Sequence, residues 1–381
     1  MTVALRVVLD QLVAPTDPDL AAASTGLARG LVAAAPSGCE VTAIVPAADS
    51  EQLERLSRTV SGLAGVDRAL LPRRELATAW QLGTVTGVAG GMLHSPTLLA
   101  PLIRHDRVHD HDQTVVTLWD LAAWDNPAEL PRSAVAWQRA MLKRAVKHAD
   151  AVVVPTHAMA LRLAELTHLG DRVRVISGAP PTGFTRPVDA ADRARSLALP
   201  SDYVVVIGST APSEGLVTGL HAAARALAAD AALHVLVIDA REGEEPAIAD
   251  AAAAAGIPER RVHVRGTLEL RDRAAALAVA RVVVAPARQS AFPWRVLEAL
   301  ELHTPVVAAA SAVHTEVVVD GGILVGDAGS ETDAEALGAA VERAAVDATA
   351  AARLRVLAAD RARAFSWREA AERVWQLHAD L

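Results

Sequence analysis

RVVVAPARQSAFPWRVLEALELHTPVVAA, residues 281–309, decides the fold. It opens on a β-branched run (RVVVAP, 281–286), crosses a polar loop, enters a Leu/Ala-rich segment around Glu298 and returns to a second β-branched run (TPVVAA, 304–309). Val-rich runs favour strands and Ala/Leu segments favour helices, so the stretch reads strand–helix–strand. The same alternation extends to both sides. YVVVIGS (203–209), LHVLVID (233–239), RVHVRG (261–266) and the shorter GGILVG (321–326) read as strands with helices between them. Upstream, strands are expected at RVVLDQLV (6–13), EVTAIVP (40–46), ALLP near Leu70, GGMLHSP (90–96), TVVTLWD (114–120), DAVVVPT (150–156) and RVRVISG (172–178). Helices are expected at 20–35 and 133–149, among others. Such alternation implies parallel sheets with helices on both faces. GAPPTGFTRP (178–187) is Pro- and Gly-rich and reads as a linker. The chain therefore divides into a domain over 1–180 and a second over 181–365.

Bulk properties agree. The 381 residues suffice for two domains, each with its own core. A net charge of -8 argues against non-specific nucleic-acid binding. Cys39 is the sole cysteine, which excludes an intrachain disulfide and a cysteine-based zinc site. The first residues lack a basic n-region, and no apolar run reaches the length of a membrane span. The expectation is a cytoplasmic protein, with peripheral contact at the inner face of the membrane left open.

Several segments, in order, resemble glycosyltransferase family 4, and the chain looks like a divergent bacterial member. HSP at 94–96 resembles the end of an N-domain strand, and TLWDLAAWDNPAELP (117–131) resembles "T-x-H-D-L…hP". DAVVVPTHAMALRLAE (150–165) resembles "DaVvapS…A-x-L", and RVRVISGAPPTGF resembles the hinge pattern "V-x-V-I-x-N-G…F". VVVIGSTAPSEGL (204–216) resembles "y-v-G-t-x-x-P-R-K-N-L". The stretch 284–308 resembles "E-G-F-G-L-P-v-l-E-A…G-x-P-V-v-a", and FSWREAAERVW (365–375) resembles the closing "F-S-W-x-x-A-A" helix. The resemblance implies the GT-B fold: two Rossmann-like, doubly wound domains facing across a cleft, with the last helix, 366–381, crossing back to the N-domain. It also implies a nucleoside-diphosphate sugar as co-substrate, with no other cofactor and no metal.

Carried over residue by residue, the resemblance places Gly208, Ser209 and Thr210 at the donor diphosphate. It places Ser290, Ala291, Phe292, Pro293 and Trp294 in the loop lining the donor, and Glu298 on the ribose. It also exposes departures. Ser213 and Glu214 stand where the family keeps Arg-Lys, Ser290 replaces the first Glu, Ala291 and Pro293 replace glycines, and Trp119 replaces the N-domain His. VAPTDPDLAA replaces a glycine-rich loop. A Glu214 carboxylate ~4 Å from a phosphate would cost about 4 kcal/mol at an effective dielectric near 20. Arg295 and Arg288 are the nearest substitute cations, and Trp119 and Trp294 are candidate sugar-stacking rings. Asp120 is a candidate base toward an acceptor hydroxyl, with loop bracing as the alternative.

Three further clusters carry two readings each. HDRVHDHD (105–112) has metal-ligand residue types but reads better as a solvated loop. RRELA (73–77) and KRAVKH (143–148) are candidate faces for acidic lipid or a lipid-phosphate acceptor, and also read as solvated helix faces. The resemblance further implies that base selection depends on residues 265–270. The expected activity is hexosyl transfer from a nucleotide sugar to a saccharide or lipid-linked acceptor in cell-envelope polysaccharide biosynthesis, with retention. The alternatives are a catalytically silent GT-B protein acting as a binding or partner subunit, and a two-Rossmann nucleotide-sugar epimerase.

Overall fold

A computed structural model describes residues 3–84, 86–289, 291–326 and 333–381. The chain forms two compact units, Met1–Thr182 with Ser366–Leu381, and Gly183–Phe365. Among the described residues the first unit holds β1 (Val3–Val8), β2 (Cys39–Val45), β3 (Gly65–Arg68), β4 (Met92–Ser95), β5 (Gln113–Thr117), β6 (Ala151–Val154) and β7 (Val173–Val175). Their order across the sheet is β3-β2-β1-β4-β5-β6-β7. The second unit holds β8 (Tyr203–Ile207), β9 (His234–Ile238), β10 (Val262–Val264), β11 (Val282–Ala285), β12 (Val306–Ala309) and β13 (Ile323–Val325), in the order β10-β9-β8-β11-β12-β13. Neighbouring strands pair in parallel throughout.

The central strands are unbroken apolar runs because helices cover both faces of each sheet. Val204, Val205 and Val206 of β8 and Val282, Val283 and Val284 of β11 are fully buried. In each sheet the strand order reverses beside the first strand, between β1 and β4 and between β8 and β11. Open α/β sheets bind ligands beyond the carboxyl ends of strands at that reversal. In the second unit β8 and β11 pair in register (Val204↔Val282, Val206↔Val284), so the loops after Ile207 and Ala285 leave the sheet side by side.

Two expected strands differ. The run RVVLDQLV ends as a strand at Val8, and Asp10–Val13 is a short helix. Asp10 is buried there, accepting hydrogen bonds from Gln11 Nε2 and Arg73 Nε, and these fix a turn that apolar patterning does not encode. ALLP near Leu70 is not a strand. The edge strand lies earlier, at β3, where GVDR is mostly exposed and carries no apolar alternation.

The terminal helix Trp367–Asp380 packs on the helix Pro18–Ala33 of the first unit. Two glycines make the approach possible. A Cβ on Gly26 would stand 2.4 Å from Trp367 Nε1, and one on Gly30 would stand 2.5 Å from the Trp367 carbonyl oxygen. Ser366 caps the helix, accepting from the Arg368 and Glu369 amides. Trp367 Nε1 donates to Pro180 O at 2.8 Å and Trp375 Nε1 to Leu31 O at 3.0 Å. At its far end His378 lies buried, 2.9 Å through Nδ1 from Gln113 Oε1, with its ring 5.6 Å from that of His94 on β4.

Burial lowers both imidazoles. His94 falls well below its ordinary value, through desolvation and then through His378, and His378 falls to about 4. The folded state thus holds both rings neutral while the unfolded chain takes protons below its ordinary histidine pKa. Stability is therefore full above about pH 6.5 and declines as pH falls toward 4, by about 3 kcal/mol for His378 alone. His94→Leu should flatten this slope in urea titrations at pH 7 and pH 5. An unchanged difference between the two pH values would refute the assignment.

Candidate functional site

The candidate site starts at the end of β8. Gly208 has φ +127°, outside the range side chains favour, and a Cβ there would lie 3.1 Å from Glu214 Oε2. The next amides turn inward. Ser209 N donates to Glu214 Oε2 at 2.6 Å, Thr210 N donates to Glu244 Oε2 at 3.3 Å, and Thr210 Oγ1 donates to Glu244 Oε1 at 2.6 Å. Glu244 also accepts from the Arg241 amide at 3.0 Å, and Arg241 lies 3.5 Å from Glu214. Burial pushes the Glu244 carboxyl up, but the hydrogen bonds from Thr210 and Arg241 outweigh it and hold the group below its ordinary value. Backbone amides after a strand end are a ready anion cradle. Here two of the chain's own carboxylates fill it.

The loop after β11 closes on the first. Arg288 N donates to Ser213 O at 3.2 Å, and Ser213 Oγ reaches Gln289 Oε1 at 3.5 Å. Gly215, at φ +65°, lets the chain pass Pro286, because a Cβ there would stand 2.6 Å from the Pro286 oxygen. Ser290 lies outside the described residues. Ala291 is half-buried and Phe292 is buried, its ring edge-on to Trp294 at 4.7 Å. Pro293 then leads into the helix Trp294–Glu301.

That helix carries Arg295 and Glu298, and the structure corrects the expected role of each. Glu298 is fully buried. Arg273, from the helix Leu270–Val279, grips its carboxylate in a fork, with Nε to Oε2 at 2.9 Å and an Nη to Oε1 at 2.7 Å. Arg295 adds a bond to Oε1 at 3.1 Å and donates through Nε to Asp239 at 2.7 Å. Glu298 is therefore an internal counter-ion rather than a group open to a ribose, and Arg295 is paired twice rather than open to a diphosphate. A buried ionised pair needs such partners, because the desolvation of each charge costs several kcal/mol. Phe292, being buried, packs against Trp294 rather than lining open space. Arg288 is exposed, and its guanidinium has no partner among the described residues.

In the first unit Trp119 is corrected as well. It is buried, donates through Nε1 to Pro96 O at 2.8 Å and meets Trp367 edge-on at 6.3 Å. It is a packing residue beneath the terminal helix, not a stacking ring open to a sugar. Asp120 is half-buried and accepts from the Ala122 amide at 3.0 Å. Burial, together with Asp17 and Asp125, raises its carboxyl above the ordinary value against the hydrogen bond from Ala122. In the loop 105–112 His105 pairs with Asp150, His109 with Asp106, and Asp112 accepts from the Gly91 amide. Among the described residues no trio of His, Cys, Asp or Glu is placed to hold a metal.

Sequence reasoning missed Arg273, Asp239 and Glu244. Arg273 has a legible signal, as the one charged residue in the run 273–278, which is otherwise buried alanines and a leucine. Asp239 sits at φ +65°, a region that side chains visit only when something holds them there, here Arg295. From this geometry, Arg295→Ala should lower stability by about 2–4 kcal/mol, because it strips one partner from a buried carboxylate. Chemical denaturation checks this, and a loss under about 0.5 kcal/mol would show the network to be dispensable.

The comparisons with known proteins bear on this geometry. Residues 201–347 match the family model described as glycosyl transferases group 1, which lies within the second unit. No curated protein matches the chain significantly. A sucrose-phosphate synthase from Thermosynechococcus elongatus has a similar structure at 18% identity, with a TM-score of 0.68 over 99% of this chain and 98% of that one. Anabaena HepE, solved with UDP and glucose, superposes with a TM-score of 0.69 at 15% identity over the whole of both chains. WaaG, a glycosyltransferase involved in lipopolysaccharide biosynthesis, does so with a TM-score of 0.65 at 12% identity over 98% of each chain. The match to the group 1 glycosyl transferase model is thus confined to the second unit, and the solved structures show the fold, two Rossmann-like units of the GT-B kind.

Proposed function

We propose that this protein transfers a hexosyl group from a nucleoside-diphosphate sugar to a saccharide or lipid-linked acceptor, with retention, as a divergent member of glycosyltransferase family 4. The observation that carries the reading is the meeting of the loops 208–214 and 286–294 at the strand-order reversal of the unit that matches the family model. HepE was solved with UDP and glucose, and a donor of that class fits a cradle of backbone amides after a glycine. In this reading Glu214 withdraws when the donor arrives, freeing the Ser209 amide for a phosphate oxygen. Arg288 supplies the fixed positive charge that the leaving diphosphate needs. Asp120, with its raised carboxyl, takes the acceptor's proton. The protein would act in the cytoplasm in cell-envelope polysaccharide synthesis, in peripheral contact with the membrane.

One observation favours a second reading, a silent binding or partner subunit: the Ser209 and Thr210 amides already hold carboxylates. Calorimetric titration of UDP and GDP into the protein and into Glu214→Gln separates the two. Transfer chemistry predicts measurable binding that tightens about tenfold in Glu214→Gln, the scale of one screened charge contact. No binding of either diphosphate to either protein would sink the transferase reading and leave the silent one.

A further inference from the structure

A pocket of about 600 Å³ opens in the first unit at the end of the sheet opposite the strand carboxyl ends. Ala149 and Asp150 line it just before β6, and Arg172 just before β7. It lies at the wrong end of the strands for the ligand of an open α/β sheet, so the donor or acceptor reading does not account for it. Its walls are rich in cations. Arg104 and Arg107 come from the chain before β5, Lys147 and His148 from the end of the helix Arg132–His148, and Arg174 from β7.

The charges divide into a fixed set and an open set. Arg172 donates to the Val146, Leu169 and Ala149 carbonyls, covering the negative end of the helix Arg132–His148. Asp150 accepts from the Thr114 amide at 2.7 Å and lies 2.8 Å from His105 Nε2, so it holds the pocket's back wall. Asp380 accepts from Gln376 at 2.7 Å. By contrast, the side chains of Arg104, Arg107 and Lys147 are exposed and have no hydrogen-bond or ion-pair partner among the described residues. These three cations, with the exposed Asp171 carboxylate as the one open anionic side chain beside them among the described residues, face a polar wall across a space that suits a small ligand.

We propose that this pocket binds a phosphomonoester of small-molecule size, such as a sugar phosphate, at a site separate from the one after β8. The open cations take the dianion, and the two imidazoles lie on the wall beside it. His105 is held above its ordinary value by its hydrogen bond to Asp150, and with its other ring nitrogen 3.0 Å from Ile103 O it stays part of the wall. His148 is held below its own by burial and by Arg144 and Lys147, and a bound dianion would reverse that shift.

The test uses the full chain with inorganic phosphate and pyrophosphate as probes at low salt, read by NMR on the His105 and His148 rings. The expected result is saturable movement of both rings, with the His148 pKa rising as the probe binds. Arg107→Glu with Lys147→Glu, both exposed, should weaken binding at least about tenfold while leaving the melting temperature and any UDP binding unchanged. Rings that do not move, or equal affinity in the double variant, would overturn the proposal. A parallel arm cosediments the protein with phosphatidylcholine vesicles with and without phosphatidylglycerol. Binding to the anionic vesicles without binding of pyrophosphate would also overturn it, because the cations would then face a lipid surface. Since the readout sits in the first unit, its failure leaves the UDP result standing, and the reverse holds too.

Discussion

A carboxylate with no access to water sets the character of the second unit. Glu298 cannot remain ionised at zero exposure without partners, and Arg273 and Arg295 supply them in a fork and a third bond. Asp239, at the end of β9, balances the second guanidinium. Three elements are thereby tied at the carboxyl end of one sheet: β9, the helix Leu270–Val279 and the helix Trp294–Glu301. Arg273 also donates to Leu268 O at 3.1 Å and lies over the Phe184 ring at 5.9 Å, which extends the tie to the loop before its own helix. The loop leading into Trp294 is anchored to a helix that this network holds in place.

The same chemistry explains why the site looks closed from within. Where an anion would meet backbone amides, Glu214 and Glu244 already accept them. Where fixed cations would meet an anion, Arg273 and Arg295 are matched by internal carboxylates. Arg273 and Arg295 are thus paired within the chain rather than open to a ligand. This leaves Arg288 as the exposed, unmatched cation among those raised by the motif comparison, and it places the question of turnover on how readily Glu214 moves.

Much of the architecture was legible in the chain. Unbroken Val runs at 204–206 and 282–284 can only be strands buried on both faces, and the Pro/Gly-rich 178–187 spans the junction at Thr182 and Gly183. The short helix Asp10–Val13 and the edge strand β3 were not legible. The first is fixed by side-chain bonds from Arg73, 63 residues away, and the second is exposed and lacks periodicity. The candidate site was legible by position only. Gly208 and Glu298 could be found, but whether Glu298 faced a ligand or Arg273 depended on a partner 25 residues upstream with no motif of its own. Trp119 shows the same limit, since its neighbour Trp367 arrives from the far end of the chain.

The terminal helix is the corresponding constraint in the first unit, admitted by Gly26 and Gly30 and fastened by Trp367 and Trp375. It closes the first unit much as the arginine–glutamate network closes the second. The network is the stronger claim because it excludes as well as explains. Its most direct test is a double-mutant cycle on Arg273→Met and Glu298→Met, read by chemical denaturation. Each single change should cost about 3–5 kcal/mol, and the pair should cost clearly less than their sum, with a coupling of at least about 2 kcal/mol. Additive losses with no coupling would contradict the account, because Glu298 would then not depend on Arg273 for its place in the core.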